Sequence, residues 1–279
     1  MTSRNRDAVS PATANAATTA PSGTNPAASL ATTTPAATNT ASASPGAGNA
    51  APGPKPERTI NLAGLRTTTV GPADATMTVV LLHGYAMRPT DLSPFAHSIG
   101  IPALFLLPEA PLPSPIGGQA WWGMDLPARD APLPREPRDQ ADDYPQGLAA
   151  AHHQLGQFLE AVAAEFRPRH LVLGGFSQGG MLALDWVLRG TRAVDALVLL
   201  SASRLAVRDW QPHRARLSEL PVFVSHGTAD RDLAFAAGER LRDFVLESGA
   251  RVSWVPFEGG HEIPLVVWRG LRKFLAPPC

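Results

Sequence analysis

The chain of 279 residues contains one cysteine, Cys279. An intramolecular disulfide is therefore impossible, and a cysteine-built zinc or iron site is excluded. Neither sign of charge is in excess, since Lys+Arg 24 are balanced by Asp+Glu 24. No positive field is left to attract nucleic acid or an anionic membrane surface. Nor does any stretch reach the roughly 18 consecutive apolar residues of a spanning helix. No nucleic-acid partner, no integral membrane association and no metal or other cofactor is expected, and the chemistry must come from oxygen and nitrogen groups.

What is present divides into two parts. Residues 1–57 form an Ala/Thr/Pro-rich stretch that also holds Asn and Ser, and aromatic residues are missing from it. Such a segment cannot offset the backbone ordering entropy of about 1–2 kcal/mol per residue, and it reads as a disordered tail. It has Arg4 and Arg6 but no apolar signal core, so a cytoplasmic location is the expectation.

Residues 58–279 read as one domain. Short Val- and Leu-rich runs at Thr78–Leu82, Ala103–Leu107, Leu171–Leu173, Ala196–Leu200, Val222–Ser225 and Val252–Val255 predict buried strands. Amphipathic stretches at Gln146–Phe166, from Ser177 to Leu188, at Phe235–Glu247 and at Leu265–Leu275 predict helices. Apolar strands alternating with helices imply an α/β fold with a mostly parallel central sheet and helices on both faces. Sites in such folds lie beyond the carboxyl ends of the strands.

The strongest signal at a strand end is Gly175-Phe176-Ser177-Gln178-Gly179, set between a predicted strand and a predicted helix. A Gly-x-Ser-x-Gly turn in that context is a nucleophile elbow, which exposes the serine hydroxyl above the sheet. Serine is a weak nucleophile. It needs an imidazole to accept its proton and a carboxylate to fix that imidazole's tautomer. In the order serine, acid, histidine, the acid follows a later strand and the histidine the last one, which selects Asp230 and His261, with Asp232 as the alternative acid. Two amides must receive the negative oxygen of the tetrahedral intermediate, at about 2.7–4 kcal/mol each. The expected donors are the Gln178 amide and the Tyr85 amide, the latter just after the strand that ends in Leu82-His83-Gly84.

Other histidines are given structural roles. His83 and His226 should hydrogen-bond their own turns, while His97, His152, His153, His170 and His213 read as surface or packing residues. Glu262 reads as a helix-start carboxylate. Trp121 and Trp122, in the Pro-rich stretch between Pro108 and Tyr144, are candidate substrate-binding walls together with the Tyr85 side chain. Only about 20 residues separate Leu200 from Val222, too few for a large helical cap, so an open site is expected.

Leu-His-Gly-Tyr at 82–85, Pro-Glu-Ala-Pro at 108–111, Trp121-Trp122, Gly-Phe-Ser-Gln-Gly-Gly at 175–180, His-Gly-Thr-Ala-Asp at 226–230 and Gly-Gly-His-Glu-Ile-Pro at 259–264 together resemble the phospholipase/carboxylesterase family of α/β-hydrolases, which includes the acyl-protein thioesterases. The resemblance covers about Thr78 to Leu275. It implies the α/β-hydrolase fold without a large cap domain, a triad on Ser177, Asp230 and His261, and oxyanion amides on Tyr85 and Gln178. Tyr85, where the family commonly has Leu, and Trp121-Trp122-Gly123-Met124-Asp125 depart from its pattern, as does the long leader. The implied activity is hydrolysis of small or medium carboxylic esters or thioesters through an acyl-enzyme. Acyl transfer or peptide cleavage on the same triad, or a hydrolase-fold binding module without turnover, are the alternative readings.

Overall fold

A computed structural model describes residues 55–124 and 138–276 of the chain. The proposed tail up to residue 54, the middle of the Pro-rich stretch and Cys279 lie outside the described residues. In chain order the first elements are β1 (Glu57–Leu62), β2 (Leu65–Val70), β3 (Met77–Leu82), α1 (Pro89–Ser98) and β4 (Ala103–Pro108). A small hairpin, β5 (Leu112–Pro113) with β6 (Gln119–Ala120), precedes α2 (Leu148–Phe166), β7 (His170–Phe176), α3 (Gln178–Arg189) and β8 (Ala196–Leu200). The chain then runs through α4 (Val207–Trp210), a 3-10 segment (Gln211–Leu217), β9 (Pro221–Gly227), α5 (Phe235–Glu247), β10 (Arg251–Phe257) and α6 (Leu265–Leu275).

Eight strands form one sheet in the order β1-β2-β4-β3-β7-β8-β9-β10. β1, β2 and β4 pair antiparallel, and every pairing from β4 through β10 is parallel. Because successive residues of a strand face opposite sides, the sheet separates two cores. Val80, Leu82, Leu104 and Leu106 pack with Phe158 of α2 and Leu182 of α3 on one face. Val79, Leu81, Phe105 and Leu107 pack with Leu92 of α1 and Leu271 of α6 on the other. Each such side chain contributes about 1.5–3 kcal/mol by leaving water. All six anticipated strands and four anticipated helices are present.

β1 at the edge of the sheet, β2 beside it, α1, the β5–β6 hairpin, α4 and the 3-10 segment were not anticipated. β2 contains Thr67, Thr68 and Thr69, all buried, a composition that does not look like a core strand. For two of them the burial is tolerated because the hydroxyl finds a carbonyl: Thr67 Oγ1 donates to Leu65 O at 3.1 Å and Thr69 Oγ1 to Arg58 O at 3.3 Å. Between β8 and β9 the chain forms only α4 and the 3-10 segment, so no large cap stands there. Among the described residues no helix is long and apolar enough to cross a membrane.

Candidate active site

The parallel pairing aligns the carboxyl ends of β3, β7, β9 and β10, and the residues singled out from the sequence sit in the loops that follow. Ser177 comes directly after β7 and is the N-cap of α3, with φ 52 and ψ −118. That is a left-handed, strained conformation for a residue with a side chain. Its flanking glycines are sterically required. A Cβ on Gly175 would come within 2.3 Å of Gly179 C, and one on Gly179 would come within 2.3 Å of Leu82 O. The elbow therefore folds tightly against the end of β3 only because neither position has a side chain.

Asp230 and His261 meet because their loops are tied together. Gly227 ends β9 opposite Phe257 at the end of β10. Beyond them Thr228 N donates to Phe257 O at 2.8 Å and Ala229 N to Gly259 O at 2.9 Å. His261 Nδ1 lies 2.7 Å from Asp230 Oδ2, with the carboxylate fully buried. Asp230 Oδ1 accepts from the Asp232 and Leu233 amides at 2.8 and 2.9 Å. Burial alone would push this carboxyl up. The hydrogen bond and charge of His261 together with the two amides outweigh burial, and its pKa is held below the ordinary value. The partner of His261 is thus Asp230. Asp232, the alternative acid, lines the adjoining cavity instead.

With Nδ1–H donated to Asp230, Nε2 of the imidazole is left as the proton acceptor. Asp230, Asp232 and His261 could also offer ligand atoms within 4.8 Å of one another to a cation. Two of those atoms, His261 Nδ1 and Asp230 Oδ2, lie within hydrogen-bonding distance of each other at 2.7 Å.

Two cavities meet at Ser177 and His261. The smaller, about 180 Å³, is bounded by Tyr85, Trp122, Gln178, Met181 and Leu233 as well as Ser177 and His261. The larger, about 350 Å³, shares Tyr85 and the same pair and is otherwise bounded by Met87, Phe95, Phe176, Glu262 and Ile263. Among the described residues the Tyr85 and Gln178 amides make no hydrogen bond to a protein acceptor. The Gln178 amide opens α3, where unpaired N–H groups and the helix dipole favour negative charge.

The tryptophan pair splits. Trp122 lines the smaller cavity. Trp121 lines neither cavity at Ser177, and its Nε1–H donates to His83 O at 2.9 Å. The Trp121 amide donates to Gln178 Oε1 and Gln178 Nε2 donates to Trp122 O, both at 2.9 Å. Trp121 therefore braces the β3 end against α3 instead of facing substrate, because an indole N–H needs an acceptor when buried. The Gln178 side chain, unremarked in the sequence, clamps both tryptophan segments to the elbow.

His83 hydrogen-bonds its own turn as expected, with Nδ1 donating to Gly84 O at 2.8 Å and Nε2 accepting from Ala110 N at 3.0 Å. His226 Nε2 lies 3.2 Å from Leu233 O, within the turn that carries Asp230. Glu262 is not at a helix start. α6 begins three residues later, and Glu262 Oε1 accepts from Gly260 N at 3.2 Å. Met87, Phe95 and Ile263 went unnoticed as cavity-lining residues, although Met87 and Ile263 each stand two residues beyond a strand-end motif residue; Phe95 comes from within α1.

Residues 67–277 match the family model described as Phospholipase/Carboxylesterase. The chain belongs to the phospholipase/carboxylesterase family. Acyl-protein thioesterase 1 of Neurospora crassa is 30% identical over 184 residues, covering 61% of this chain and 72% of that protein. Acyl-protein thioesterase 1 of Cryptococcus neoformans is 27% identical over 198 residues, covering 66% and 79%. Among solved structures, esterase PE8 superposes with a TM-score of 0.63 at 26% identity, covering 76% of this chain and 97% of its own. Zea mays acyl-protein thioesterase 2 gives 0.60 at 24% identity over 75% and 97%. As a member of the phospholipase/carboxylesterase family the chain is a hydrolase with the α/β-hydrolase fold.

Proposed function

We propose that this family member is a serine hydrolase that cleaves carboxylic esters or thioesters of small to medium acyl groups through an acyl-enzyme. The observation that carries the reading is the 2.7 Å contact between Asp230 Oδ2 and His261 Nδ1, with Ser177 on the wall of the same cavities. In this mechanism Ser177 Oγ attacks the acyl carbon while His261 Nε2 takes the hydroxyl proton. The Tyr85 and Gln178 amides receive the oxyanion, and the His261 proton then passes to the departing alcohol or thiol. Water repeats the sequence on the acyl-enzyme and returns Ser177. Asp230 holds the imidazole in the tautomer that keeps Nε2 free and stabilises the imidazolium that forms. We take residues 58–279 as the catalytic domain.

The test pairs a fluorophosphonate probe with hydrolysis of a nitrophenyl ester series and an acyl-thioester. The chain should be labelled at Ser177, and Ser177→Ala should lose labelling and about 10⁶-fold in kcat while remaining folded. An unlabelled Ser177, or a Ser177→Ala variant with wild-type turnover, would overturn the proposal.

A further inference from the structure

We infer that the larger of the two cavities at Ser177 is the leaving-group site, and that it selects uncharged, apolar alcohols or thiols. The inference rests on the hydrolase reading above. In the acylation step the Ser177 Oγ–acyl carbon bond forms, the bond from that carbon to the departing oxygen or sulfur breaks, and the proton taken from Ser177 passes from His261 to the departing atom. The leaving group must therefore lie against His261 and the residues next to it. The acyl group stays bonded to Ser177 beside the oxyanion amides.

Only the larger cavity is walled by Glu262 and Ile263, which directly follow His261. Another of its walls is Phe176, whose ring packs 4.7 Å from the His261 imidazole. By contrast, Gln178 and Met181, on the first turn of α3, bound only the smaller cavity. This assigns the acyl group to the smaller cavity and the alcohol to the larger.

Met87, Phe95, Phe176 and Ile263 give the larger cavity an apolar lining, and its one charged side chain, Glu262, disfavours a phosphate-bearing leaving group. Three of those four side chains, Met87, Phe95 and Ile263, are partly exposed at the margin of the core, so a bound alcohol would cover apolar surface now facing water. At about 350 Å³ the space exceeds the roughly 150 Å³ that accommodates a benzene ring in an apolar cavity.

The experiment measures kcat/KM of the full chain on two mirrored series. One comprises ethyl, butyl and hexyl acetate, which share one acyl-enzyme. The other comprises methyl esters of acetic, butanoic and hexanoic acid. From ethyl to hexyl acetate kcat/KM should rise about tenfold, below the limit set by burying four methylenes. Met87→Ser and Ile263→Ser should each reduce that ratio to about threefold or less and leave the slope of the methyl-ester series as in the wild type. Met87→Leu, which keeps the lining apolar, should retain the wild-type ratio, and a thermal melt of each variant reports folding. A flat alcohol series, or serine variants that flatten the methyl-ester series instead, would overturn the assignment while ester turnover persisted. Absence of Ser177-dependent turnover on every ester would overturn the hydrolase reading itself, and the assignment with it.

Discussion

Among the described residues two aspartate–histidine pairs share nearly the same geometry, and only one of them adjoins a strained serine; a third contact, from His226 Nε2 to the same Asp230 Oδ2, is longer at 3.4 Å. His261 Nδ1 lies 2.7 Å from Asp230 Oδ2, and His152 Nδ1 lies 2.6 Å from Asp185 Oδ2. Both carboxylates are fully buried, and the two imidazoles are exposed by 16% and 18%. The surroundings differ. Asp230 and His261 stand on loops at the carboxyl ends of β9 and β10, beside the N-terminus of α3. Asp185 and His152 lie within α3 and α2, so their contact ties two helices together. Asp185 Oδ1 also accepts from Trp210 Nε1 at 2.7 Å, which draws in α4, and the His152 ring packs 4.9 Å from Trp186. A buried carboxylate with an imidazole is thus a structural device that the fold uses twice. Chemistry requires in addition a serine at φ 52 and amides aimed at a developing oxyanion.

The sharpest way to break this comparison is to neutralise each carboxylate in turn. Asp230→Asn keeps an oxygen for the Asp232 and Leu233 amides but leaves His261 without the acceptor that fixes its tautomer. It should cost about 10⁴-fold in kcat of the folded protein, a loss read separately from whatever stability goes with the buried charge. Asp185→Asn should act on stability alone. Asp185 hydrogen-bonds His152 and Trp210 and forms an ion pair with Arg189, whose Nε lies 3.5 Å from Oδ1, and losing the charge in a buried network should cost about 2–4 kcal/mol of unfolding free energy. The kcat of its folded fraction should stay near that of the wild type. Ester turnover measured beside urea unfolding separates the two effects. A stable Asp185→Asn protein with a large loss of kcat would show that the distinction between the pairs is drawn in the wrong place.

The Asp230–His261 pair was legible in the sequence and the Asp185–His152 pair was not, for a physical reason. Strand ends are marked by Gly, Pro and Ser after short Val/Leu runs, so Ser177, Asp230 and His261 could each be located from the strand before it. Asp185 sits between Leu184 and Trp186 inside an apolar helix. Its partner, His152, is distant in sequence and stands in a helix that reads as an ordinary amphipathic one. The available signal was the carboxylate itself, since a charge within a buried run needs a partner. β2 escaped notice because it buries threonines, two of whose hydroxyls are satisfied by backbone carbonyls that hydropathy does not register, and β1 because it is mostly exposed. Trp121 and Trp122 are adjacent and chemically identical. Which ring faces the cavity depends on hydrogen bonds to His83 and Gln178, whose carbonyl and side chain come from elements 38 and 56–57 residues away.

The smallest effect concerns the histidines that stay neutral. Burial pulls the His83 pKa below its ordinary 6.5, although the Gly84 carbonyl and the charges of Glu109 and Asp91 pull the other way. Burial lowers His226 likewise, against the Leu233 carbonyl and Asp230. Below pH 6.5 the unfolded chain takes protons at these sites that the folded chain refuses. Their contribution to stability is therefore complete above 6.5 and declines as the pH falls toward the folded pKa, by up to about 1.4 kcal/mol per pH unit for each site. Asp230 acts in a lower window. Its folded pKa lies below 3.8, so its contribution is complete above that value and is lost only as the pH falls through the folded pKa. Urea midpoints from about pH 7 to about pH 4.5 consequently sample the buried histidines without titrating that carboxyl. His83→Asn, neutral throughout, should make the wild-type decline shallower by no more than one site's share. A variant with the full wild-type slope would mean that the His83 imidazole accepts a proton inside the fold, which its two hydrogen bonds, one donated to Gly84 and one accepted from Ala110, leave no room for.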